Sequence, residues 1–581
     1  MAYAEQKNSG RQMSRQGSIA VLEEQLELNF SVRNIPKLDL MSPSDPFIVI
    51  SIKDEINNNY KRIATTEVVW DNPNADFSKE IKISYKFEEV QTIKCDIYDA
   101  DTKDTTYLNK HDYIGYCEFI IGDLVTSNGQ KLVIPIKGKN NKPLPKVKKL
   151  QPLIIIRSSE IDDNHDELEL TLNGYKLPKM DWFGKIDAFF QVYRKATDGG
   201  WVSVYKSEVI KKNYNPRWKK FNIKMRRLCH GDDQRPILFK IFDWNNDAKP
   251  DYAGEFETDV KSLLNSRQIS LKQRNQKTGK YSKKAKGQVK IVEAKLVKKY
   301  SFLQFLRGGM EVQLICAIDF TGSNGHPSEK NSLHYMGAPY YESEYLKVIK
   351  SVGRVLEPYD SDGNIAAYGF GANLNPHGKS VSHCFPLTLN NNNIEVNGIE
   401  GLIAAYKNAL NRVQLYGPTY FSEIVSTSYA SCIGTCTPNS QCYTILLIIT
   451  DGVINDMQRS IDKIVEASKH PLSIIIVGVG DADFSRMNIL DADDEPLIHS
   501  NGIKMSRDIV QFVSFKEHNV NGINSLAKEV LHELPDQVQQ YMWKNDLKPL
   551  RSNINDGKNK RKLSSDNDIC IPKSKKRKIF H

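Results

Sequence analysis

One part of the sequence gathers aspartates at the ends of apolar runs, where strands give way to loops. Asp39 and Asp45 lie in LDLMSPSDPFIV, and Asp99, Asp101 and Asp112 lie in YDADTKDTTYLNKHDYIGY. Carboxylates gathered in one place repel one another, and a hard cation with oxygen ligands removes that repulsion. Ca²⁺ suits such a set better than Mg²⁺, which demands stricter geometry. Because aspartate also favours loops for conformational reasons, a group of solvated turn residues is the alternative.

The same arrangement recurs about 140 residues later, which predicts two copies of one domain. MDWFGKIDAFFQV and FDWNNDAKPDYAGEF carry the second set: Asp181, Asp187, Asp243, Asn245 and Asp251. Between these segments, TTEVVWDNPNADF in the first copy corresponds to KSEVIKKNYNPRWKKF in the second. The shared Asn-Pro dipeptide suggests pairing Asn72-Pro73 with Asn215-Pro216. Three blocks in the same order favour a repeated site over scattered turn residues.

A third set of oxygen-bearing side chains follows two apolar runs nearer the C-terminus. AIDFTGSNG carries Asp319, Thr321 and Ser323, LLIITDG ends at Asp451, and the loop LYGPT contributes Thr419. Open α/β sheets bind ligands at the carboxyl ends of their strands. Hydroxyls combined with few carboxylates suit Mg²⁺ or Mn²⁺. A strand-end turn without a metal is the alternative.

The elements that position these side chains change along the chain. Up to about residue 298, short apolar or alternating runs such as Ile48–Ile52 and Phe189–Tyr193 lie between turn residues, which predicts all-β sandwiches. After Tyr300, apolar strands alternate with helical stretches such as SEYLKVIKSVGRVLEPY, which predicts a parallel sheet covered on both faces. We therefore expect a multidomain chain of two all-β sandwiches followed by an α/β doubly wound (Rossmann-like) domain.

These motifs resemble known families. SDPF, YDAD and KHDYIG resemble the Ca²⁺-binding loops of C2 domains, in tandem over about residues 20–298. The Asp-x-Thr-x-Ser loop with Thr419 and Asp451 resembles the metal-ion-dependent adhesion site of von Willebrand A domains, in which an acidic side chain of a partner completes the metal coordination. With SLHYM, VQLYGPTYF and LIITDGVINDM, the whole order resembles the copine family from about residue 20 to 548.

The resemblance implies the ligands of each metal. For Ca²⁺ in the first C2 domain they are Asp39, Asp45, Asp99, Asp101 and Asp112. For Ca²⁺ in the second they are Asp181, Asp187, Asp243, Asn245 and Asp251. For Mg²⁺ or Mn²⁺ in the A domain they are Asp319, Thr321, Ser323, Thr419 and Asp451. Because Asn245 removes one negative charge from the second set, we expect that domain to bind Ca²⁺ more weakly.

The loops also carry side chains that could contact lipid. Apolar candidates beside the aspartates are Met41, Trp182, Phe183 and Trp244, and basic candidates are Lys211, Lys212, Lys219 and Lys220. Tryptophan is favoured at membrane interfaces, and each cation near an anionic leaflet adds about 1 kcal/mol. Alternatively, the rings pack beneath their own loops and the lysines form a solvated strand face.

Domain boundaries follow from these patterns. The predicted units are a disordered N-terminus (1–20), C2 domain A (21–160), C2 domain B (161–298), a von Willebrand A domain (299–548) and a disordered basic tail (549–581). From Arg551 to His581 the tail holds ten Lys and Arg against three Asp, and this accounts for most of the net charge of +10. The run KSKKRK in the tail is a candidate nuclear import signal, so a nuclear pool of the protein remains an alternative.

Composition indicates in which cellular compartment the protein is found. No apolar run reaches the roughly 18 residues that span a bilayer, and the N-terminus lacks the apolar core of a signal peptide. Nine cysteines in 581 residues do not form a secreted disulfide scaffold. We expect a cytoplasmic protein that moves to plasma or internal membranes when Ca²⁺ rises.

The function expected from these sites is that of a calcium-dependent phospholipid-binding adaptor. Its C2 domains would dock on anionic membranes, and its metal-bearing A domain would recruit protein partners. The alternatives are a metal-dependent enzyme, in phosphoryl transfer or as a ubiquitin ligase, and a nuclear or nucleic-acid-associated protein that uses the basic tail. Because Walker, kinase and Gly-x-Ser-x-Gly motifs and paired zinc ligands are absent, we do not expect catalysis. Because most basic runs such as KSKKRK are merely solvated, we do not expect nucleic-acid binding either. The oligomeric state is left open.

Overall fold

The computed structural model describes most of the chain between residues 24 and 550. The described ranges are 24–38, 43–54, 57–160, 166–180, 184–195, 199–245, 250–275, 278, 280–285, 287–337, 342–360, 362–375, 380–452, 454–492, 495–518 and 523–550. Five predicted site residues lie outside them: Asp39, Met41, Asp181, Trp182 and Phe183. The predictions of disorder for residues 1–20 and for the tail from residue 551 onward also fall outside the described residues.

The first domain is a sandwich of two four-stranded antiparallel sheets, as the sequence predicts. Its elements are β1 (Glu24–Arg33), β2 (Pro46–Asp54), β3 (Asn59–Thr65), β4 (Ile81–Tyr85), β5 (Thr92–Asp99), β6 (Asp112–Ile120), α1 (Ile121–Thr126), β7 (Lys131–Pro135) and β8 (Leu153–Glu160). The sheets have the orders β4-β1-β8-β7 and β3-β2-β5-β6. In β5 the inward positions are Ile93, Cys95, Ile97 and then Asp99, all buried. The period-two pattern of the strand therefore carries a carboxylate inward where the strand ends.

The second domain repeats this topology strand for strand. Its elements are β9 (Glu167–Tyr175), β10 (Ala188–Lys195), β11 (Trp201–Lys206), β12 (Phe221–Lys224), α2 (Met225–Cys229), β13 (Ile237–Asp243), β14 (Asp251–Thr258), α3 (Val260–Asn265), β15 (Gln268–Ser270) and β16 (Gln288–Val297). The sheets have the orders β12-β9-β16-β15 and β11-β10-β13-β14. Phe190, Trp218 and Phe239 pack in its core, and β13 ends on the buried Asp243 as β5 ends on Asp99.

Equivalent hydrogen bonds correct the register that the sequence suggested between the two copies. The amide oxygen of Asn72 accepts from the backbone of Asn74 at 3.0 Å, and that of Asn213 accepts from Asn215 at 2.9 Å. Asn72 therefore matches Asn213, and the pairing with Asn215 was wrong by two residues. The Asn-Pro dipeptide misled because its proline lies at different places in the two loops.

The third domain is an α/β domain whose elements alternate as predicted. Its helices are α4 (Phe302–Gly308), α5 (Glu344–Leu356), α6 (Gly398–Leu410), α7 (Ser422–Cys432), α8 (Met457–Ala467), α9 (Phe515–His518), α10 (Ile523–Leu531) and α11 (Leu534–Lys544). Its strands are β17 (Glu311–Asp319), β18 (Asn364–Phe370), β19 (Ala372–Asn373), β20 (Val381–Ser382), β21 (Phe385–Pro386), β22 (Glu395–Asn397), β23 (Gln414–Leu415), β24 (Cys436–Thr437), β25 (Ser440–Thr450), β26 (Leu472–Gly478) and β27 (Val510–Ser514).

The main sheet of this domain has the order β21-β18-β17-β25-β26-β27. The strands from β18 to β27 in that order run parallel, whereas the short β21 and β22 pair antiparallel to β18. The chain leaves β17 toward β18 on one side and later adds β25 on the other, so the strand order reverses at β17. Such a switch point is where open α/β sheets bind ligands. Among the described residues, no helix combines the length and apolar character needed to cross a bilayer.

Candidate functional sites

The A-domain site lies at the carboxyl ends of β17 and β25. These strands are parallel neighbours in which Ile318 faces Ile449, so Asp319 and Thr450 reach the same edge of the sheet. Asp319 is fully buried, and its Oδ1 accepts from the backbone N–H of Thr321 at 2.8 Å and from its hydroxyl at 2.6 Å. Its Oδ2 accepts from the hydroxyl of Thr450 at 2.6 Å. Hydroxyl and amide donors thus stabilise a buried carboxylate.

The structure brings all five predicted A-domain ligands together. The hydroxyl of Ser323 lies 3.0 Å from Oδ1 of Asp451 and 3.0 Å from the hydroxyl of Thr321. A β-carbon built on Gly452 would lie 3.9 Å from the hydroxyl oxygens of both Ser323 and Thr419. The glycine therefore leaves space between hydroxyls that come from two separate loops.

Electrostatics at this site favour a bound cation. Burial raises the pKa of Asp319, and burial together with the negative charge of Asp319 raises the pKa of Asp451 to about 7. Two close buried carboxylates cost less free energy when a cation compensates their charge. The described residues contain no group of three or more His, Cys, Asp or Glu side chains suited to a metal. Two carboxylates with three hydroxyls still fit Mg²⁺ or Mn²⁺, which retain water ligands.

Sequence reasoning missed the residues that hold these ligands in place. The amide oxygen of Asn455 accepts from the backbone of Thr419 at 2.9 Å, and the backbone of Asn455 donates back to Thr419 at 2.9 Å. Asp456, which is buried, accepts from the backbone N–H groups of Phe421 and Ser422, both at 3.1 Å. Both residues lie in LIITDGVINDM, so position close after Asp451 was the available signal.

A buried aromatic cluster lies beneath the Asp-x-Thr-x-Ser loop. Tyr345 donates its hydroxyl to the amide oxygen of Asn324 at 2.7 Å, and the Asn324 amide donates to the carbonyl of Thr321 at 3.2 Å. The His334 ring lies 4.4 Å from that of Tyr345, and burial lowers the pKa of His334 to about 3. A neutral histidine in this position packs against the loop without adding charge to it.

In the first C2 domain, backbone donors join two of the predicted aspartate loops. The N–H of Asp45 donates to Oδ1 of Asp99 at 2.5 Å, and the N–H of Asp71 donates to Oδ1 of Asp45 at 2.5 Å. Asp112 lies opposite Asp99 across β5 and β6, while Asp101 is exposed in the loop between those strands. Four of the five predicted ligands are thus described, and all four lie at one end of the sandwich.

The second C2 domain has the same frame, meaning the same backbone hydrogen bonds to its loop aspartates, with different side chains. The N–H of Asp187 donates to Oδ1 of Asp243 at 2.7 Å, and the N–H of Lys212 donates to Oδ1 of Asp187 at 2.6 Å. Asp251 lies opposite Asp243. The Asn245 amide donates to Oδ2 of Asp251 at 3.1 Å, so an intramolecular bond uses an oxygen that a cation would need. All-oxygen donors at the end of each sandwich fit Ca²⁺, with fewer carboxylates in the second.

The predicted lipid-contact residues fall into different settings. The Lys211 ammonium lies 5.1 Å from the centre of the Trp244 ring, at the aspartate end of the domain. Lys219 is exposed, whereas the Lys220 ammonium lies 2.8 Å from Glu169 and 3.4 Å from Glu293. The charge of Lys220 is therefore matched within the domain, which disfavours a lipid contact there.

Sequence reasoning also missed Trp70, a lipid-contact candidate of the first domain. It precedes Asp71 in the loop between β3 and β4 and keeps 44% of its surface exposed. A large ring exposed beside an acidic loop is the signal that could have identified it.

Comparisons with known proteins agree with this arrangement of two C2 sandwiches and an A-type α/β domain. The C2 domain model matches residues 26–136 and 168–277, and the copine model matches residues 332–550. Copine-A of Dictyostelium discoideum is 36% identical over 530 residues, which cover 90% of this chain and 85% of that protein. The chain belongs to the copine family. Its architecture supports a membrane-binding adaptor.

Solved structures that align with the chain include isolated C2 domains. BON1-C2B aligns at 23% identity over 23% of this chain and 94% of its own, with a TM-score of 0.21. The calcium-bound C2A and C2B domains of Extended-Synaptotagmin 2 align at 14% identity over 48% and 98%, with a TM-score of 0.20.

Proposed function

We propose that this copine is a calcium-dependent adaptor that docks on anionic phospholipid through its C2 domains and recruits a protein partner through its A domain. The observation that carries the proposal is the shared frame of the two sandwiches. In both, a backbone N–H from one aspartate loop binds the buried carboxylate of another loop, at 2.5 Å in the first domain and 2.7 Å in the second. The acidic residues of separate loops therefore converge at one end.

The residues of the first sandwich have distinct tasks in this proposal. Asp99 and Asp45, both buried, would hold the cation against the sandwich, while the exposed Asp101 and Asp112 would face the membrane. Bound Ca²⁺ would supply positive charge and coordination positions for lipid phosphate oxygens. Without it, the carboxylates repel an anionic surface, so docking depends on the cation. Trp70 is placed to enter the interface beside them.

The A-domain site would hold Mg²⁺ or Mn²⁺ through Asp319, Asp451 and the hydroxyls of Thr321, Ser323 and Thr419. Asp319 keeps the Thr321 hydroxyl and backbone in place through two hydrogen bonds. The metal would supply a coordination position for an acidic side chain of the partner. We propose that the chain acts by binding alone, so turnover of ATP or ubiquitin transfer that Asp451→Ala abolishes would contradict this view.

Vesicle co-sedimentation of the full chain tests the membrane step. With vesicles of phosphatidylserine and phosphatidylcholine in equal parts, we expect strong binding in Ca²⁺ that falls in chelator. Asp99→Asn should remove most of the calcium-dependent fraction. Asp54→Asn is the matched control, because Asp54 ends β2 about 30 Å along the strand from Asp45. Equal sedimentation of the wild-type chain in Ca²⁺ and in chelator would remove the calcium switch.

A fusion to a fluorescent protein tests the same step in cells. We expect the chain to leave the cytoplasm for plasma or internal membranes when Ca²⁺ rises and Asp99→Asn to remain behind. The comparisons give no support to a nuclear pool. A fusion that stays cytoplasmic through the Ca²⁺ rise would contradict the proposed movement.

A further inference from the structure

The two C2 domains differ most at a loop that touches the calcium candidates. This is the loop between the third and fourth strands, β3–β4 in the first domain and β11–β12 in the second. One glutamate fixes each loop in the same way: Glu67 accepts from the backbone of Ser78 at 2.5 Å, and Glu208 accepts from Lys219 at 2.6 Å. The two loops can therefore be compared position by position.

At matching positions the charge of the loop is inverted. Asp71 in the first domain becomes Lys212 in the second, since each donates its backbone N–H to the second loop aspartate. Asp76 becomes Arg217, since their β-bridge partners, Ser31 and Asn173, lie at equivalent points of β1 and β9. Trp70 becomes Lys211. All three residues of the second loop are exposed. Asp71 adds negative charge beside the cation site of the first domain, where the charge of Asp76 is paired with Arg33 at 2.7 Å, whereas the second loop adds positive charge.

The backbone of the loop is the same in both domains despite this change. Asp71 has a φ of 52° and Lys212 a φ of 51°, so both adopt the left-handed conformation. The N–H of each residue points at a carboxylate whatever side chain it carries. The charge at this position can therefore be exchanged between domains without a new backbone strain.

Lys211, the first cation of the second loop, lies beside an aromatic ring. The Lys211 ammonium lies over the ring of Trp244. The backbone N–H of Trp244 donates to the carbonyl of Asp187 at 2.9 Å, as the backbone N–H of Ala100 donates to that of Asp45 at 3.0 Å in the first domain. Within the described residues, Lys211, Lys212 and Arg217 form no salt bridge. At the compared positions of the loop the second domain thus presents three cations, where the first presents Trp70, Asp71 and Asp76.

We propose that the β11–β12 loop of the second C2 domain contacts anionic lipid headgroups without Ca²⁺. Lys211, Lys212 and Arg217 supply the positive charge that the first domain obtains only from a bound cation, and Trp244 lies beside them at the interface. This inference rests on the proposed function, because it takes the same end of the sandwich as the membrane-facing end. The two domains then have different tasks. The second domain holds the chain weakly at anionic membrane, and the first strengthens the contact when Ca²⁺ rises.

Exchanging the charge at the equivalent positions of the full chain tests the inference. In chelator, the wild-type chain should bind equal-part phosphatidylserine and phosphatidylcholine vesicles weakly and in a salt-sensitive manner, and should not bind phosphatidylcholine alone. Lys212→Asp should weaken this calcium-free association by about 30-fold, since each charge near the leaflet counts for about 1 kcal/mol. Asp71→Lys should strengthen it. Lys261→Glu, on α3 at the opposite end of the domain, changes the charge equally and should have little effect.

The outcomes separate this inference from the proposed function. If the wild-type chain binds in Ca²⁺ but not in chelator, calcium-dependent docking stands and the lysine contact is refuted. If Lys212→Asp and Lys261→Glu weaken calcium-free binding equally, only net charge acts and the loop is not the contact. Calcium-free binding to phosphatidylcholine alone would point to a non-electrostatic contact and also overturn the inference. If the chain binds no vesicles in either condition, the proposed function itself fails.

Discussion

The hydroxyl of Thr450 offers the sharpest test of the A-domain site. It donates to Oδ2 of Asp319 at 2.6 Å, and both residues are fully buried. Thr450→Val replaces the hydroxyl with a methyl group of similar shape, so packing is kept while a donor to a buried carboxylate is lost. Thr450→Ser is the matched control, because it keeps the hydroxyl and loses only the methyl group.

The magnitude follows from the charge of the acceptor. A hydrogen bond to a charged group contributes about 1.5–3 kcal/mol, and a free-energy change of about 1.4 kcal/mol is tenfold in affinity. Loss of a partner that supports a metal ligand typically costs about 10–100-fold in metal affinity. Both estimates agree, so we expect Thr450→Val to weaken Mn²⁺ binding at the A domain by about 10–100-fold.

Isothermal titration of the full chain with Mn²⁺ measures this change. Asp319→Ala identifies the heat that belongs to the A domain, because the C2 loops can also take up the ion. Thr450→Ser should stay close to the wild-type affinity. An unchanged affinity in Thr450→Val would show that the bond does not support the site. Equal losses in the valine and serine variants would assign the effect to packing.

Three further substitutions follow from the other contacts. Asn245→Asp should raise the Ca²⁺ affinity of the second C2 domain by restoring a carboxylate beside Asp251, and calorimetry in which this variant binds no more tightly than wild type would contradict the assignment. Asp456→Ala should leave two backbone donors at the start of α7 unsatisfied, which costs about 1–3 kcal/mol of stability each. Hydrogen exchange in the peptide containing Thr419 should therefore accelerate, and unchanged exchange would refute a role of Asp456 in holding this loop. Trp70→Ala should weaken calcium-dependent vesicle binding by about 30-fold, from about 2 kcal/mol of lost apolar contact, and equal binding would place the ring outside the membrane.

Local pattern was enough to predict the parts of the molecule that depend on strand period and strand ends. Alternation along β5 and β13 predicts sandwiches, and the same alternation carries Asp99 and Asp243 inward. In the α/β domain, apolar runs that end in Asp319 and Asp451 predict a shared edge because parallel strands end together. In each of these examples the information lies within a few residues of the side chain concerned.

Contacts between distant segments were beyond that kind of reasoning. Thr450 is the last residue of an apolar strand, and nothing near it shows that its hydroxyl meets a carboxylate 131 residues away. Asp456 holds the start of α7, which precedes it in the chain. The match of Asp71 with Lys212 depends on backbone hydrogen bonds that the Asn-Pro dipeptides concealed.

The two kinds of site differ in whether the hydrogen bonds that hold their carboxylates come from the backbone or from side chains. In the C2 domains the innermost carboxylates accept from backbone N–H groups, as Asp45 does from Asp71 and Asp187 does from Lys212. Side chains at the donor positions can therefore change from acid to base while the frame persists. In the A domain Asp319 accepts from a backbone N–H as well, but two of its donors are the side-chain hydroxyls of Thr321 and Thr450, and Thr321 is itself a candidate ligand. A substitution of Thr321 therefore alters both a metal ligand and the hydrogen bonds that hold Asp319. Single substitutions in the C2 loops can change cation or lipid binding separately, whereas the residues of the A-domain site depend on one another.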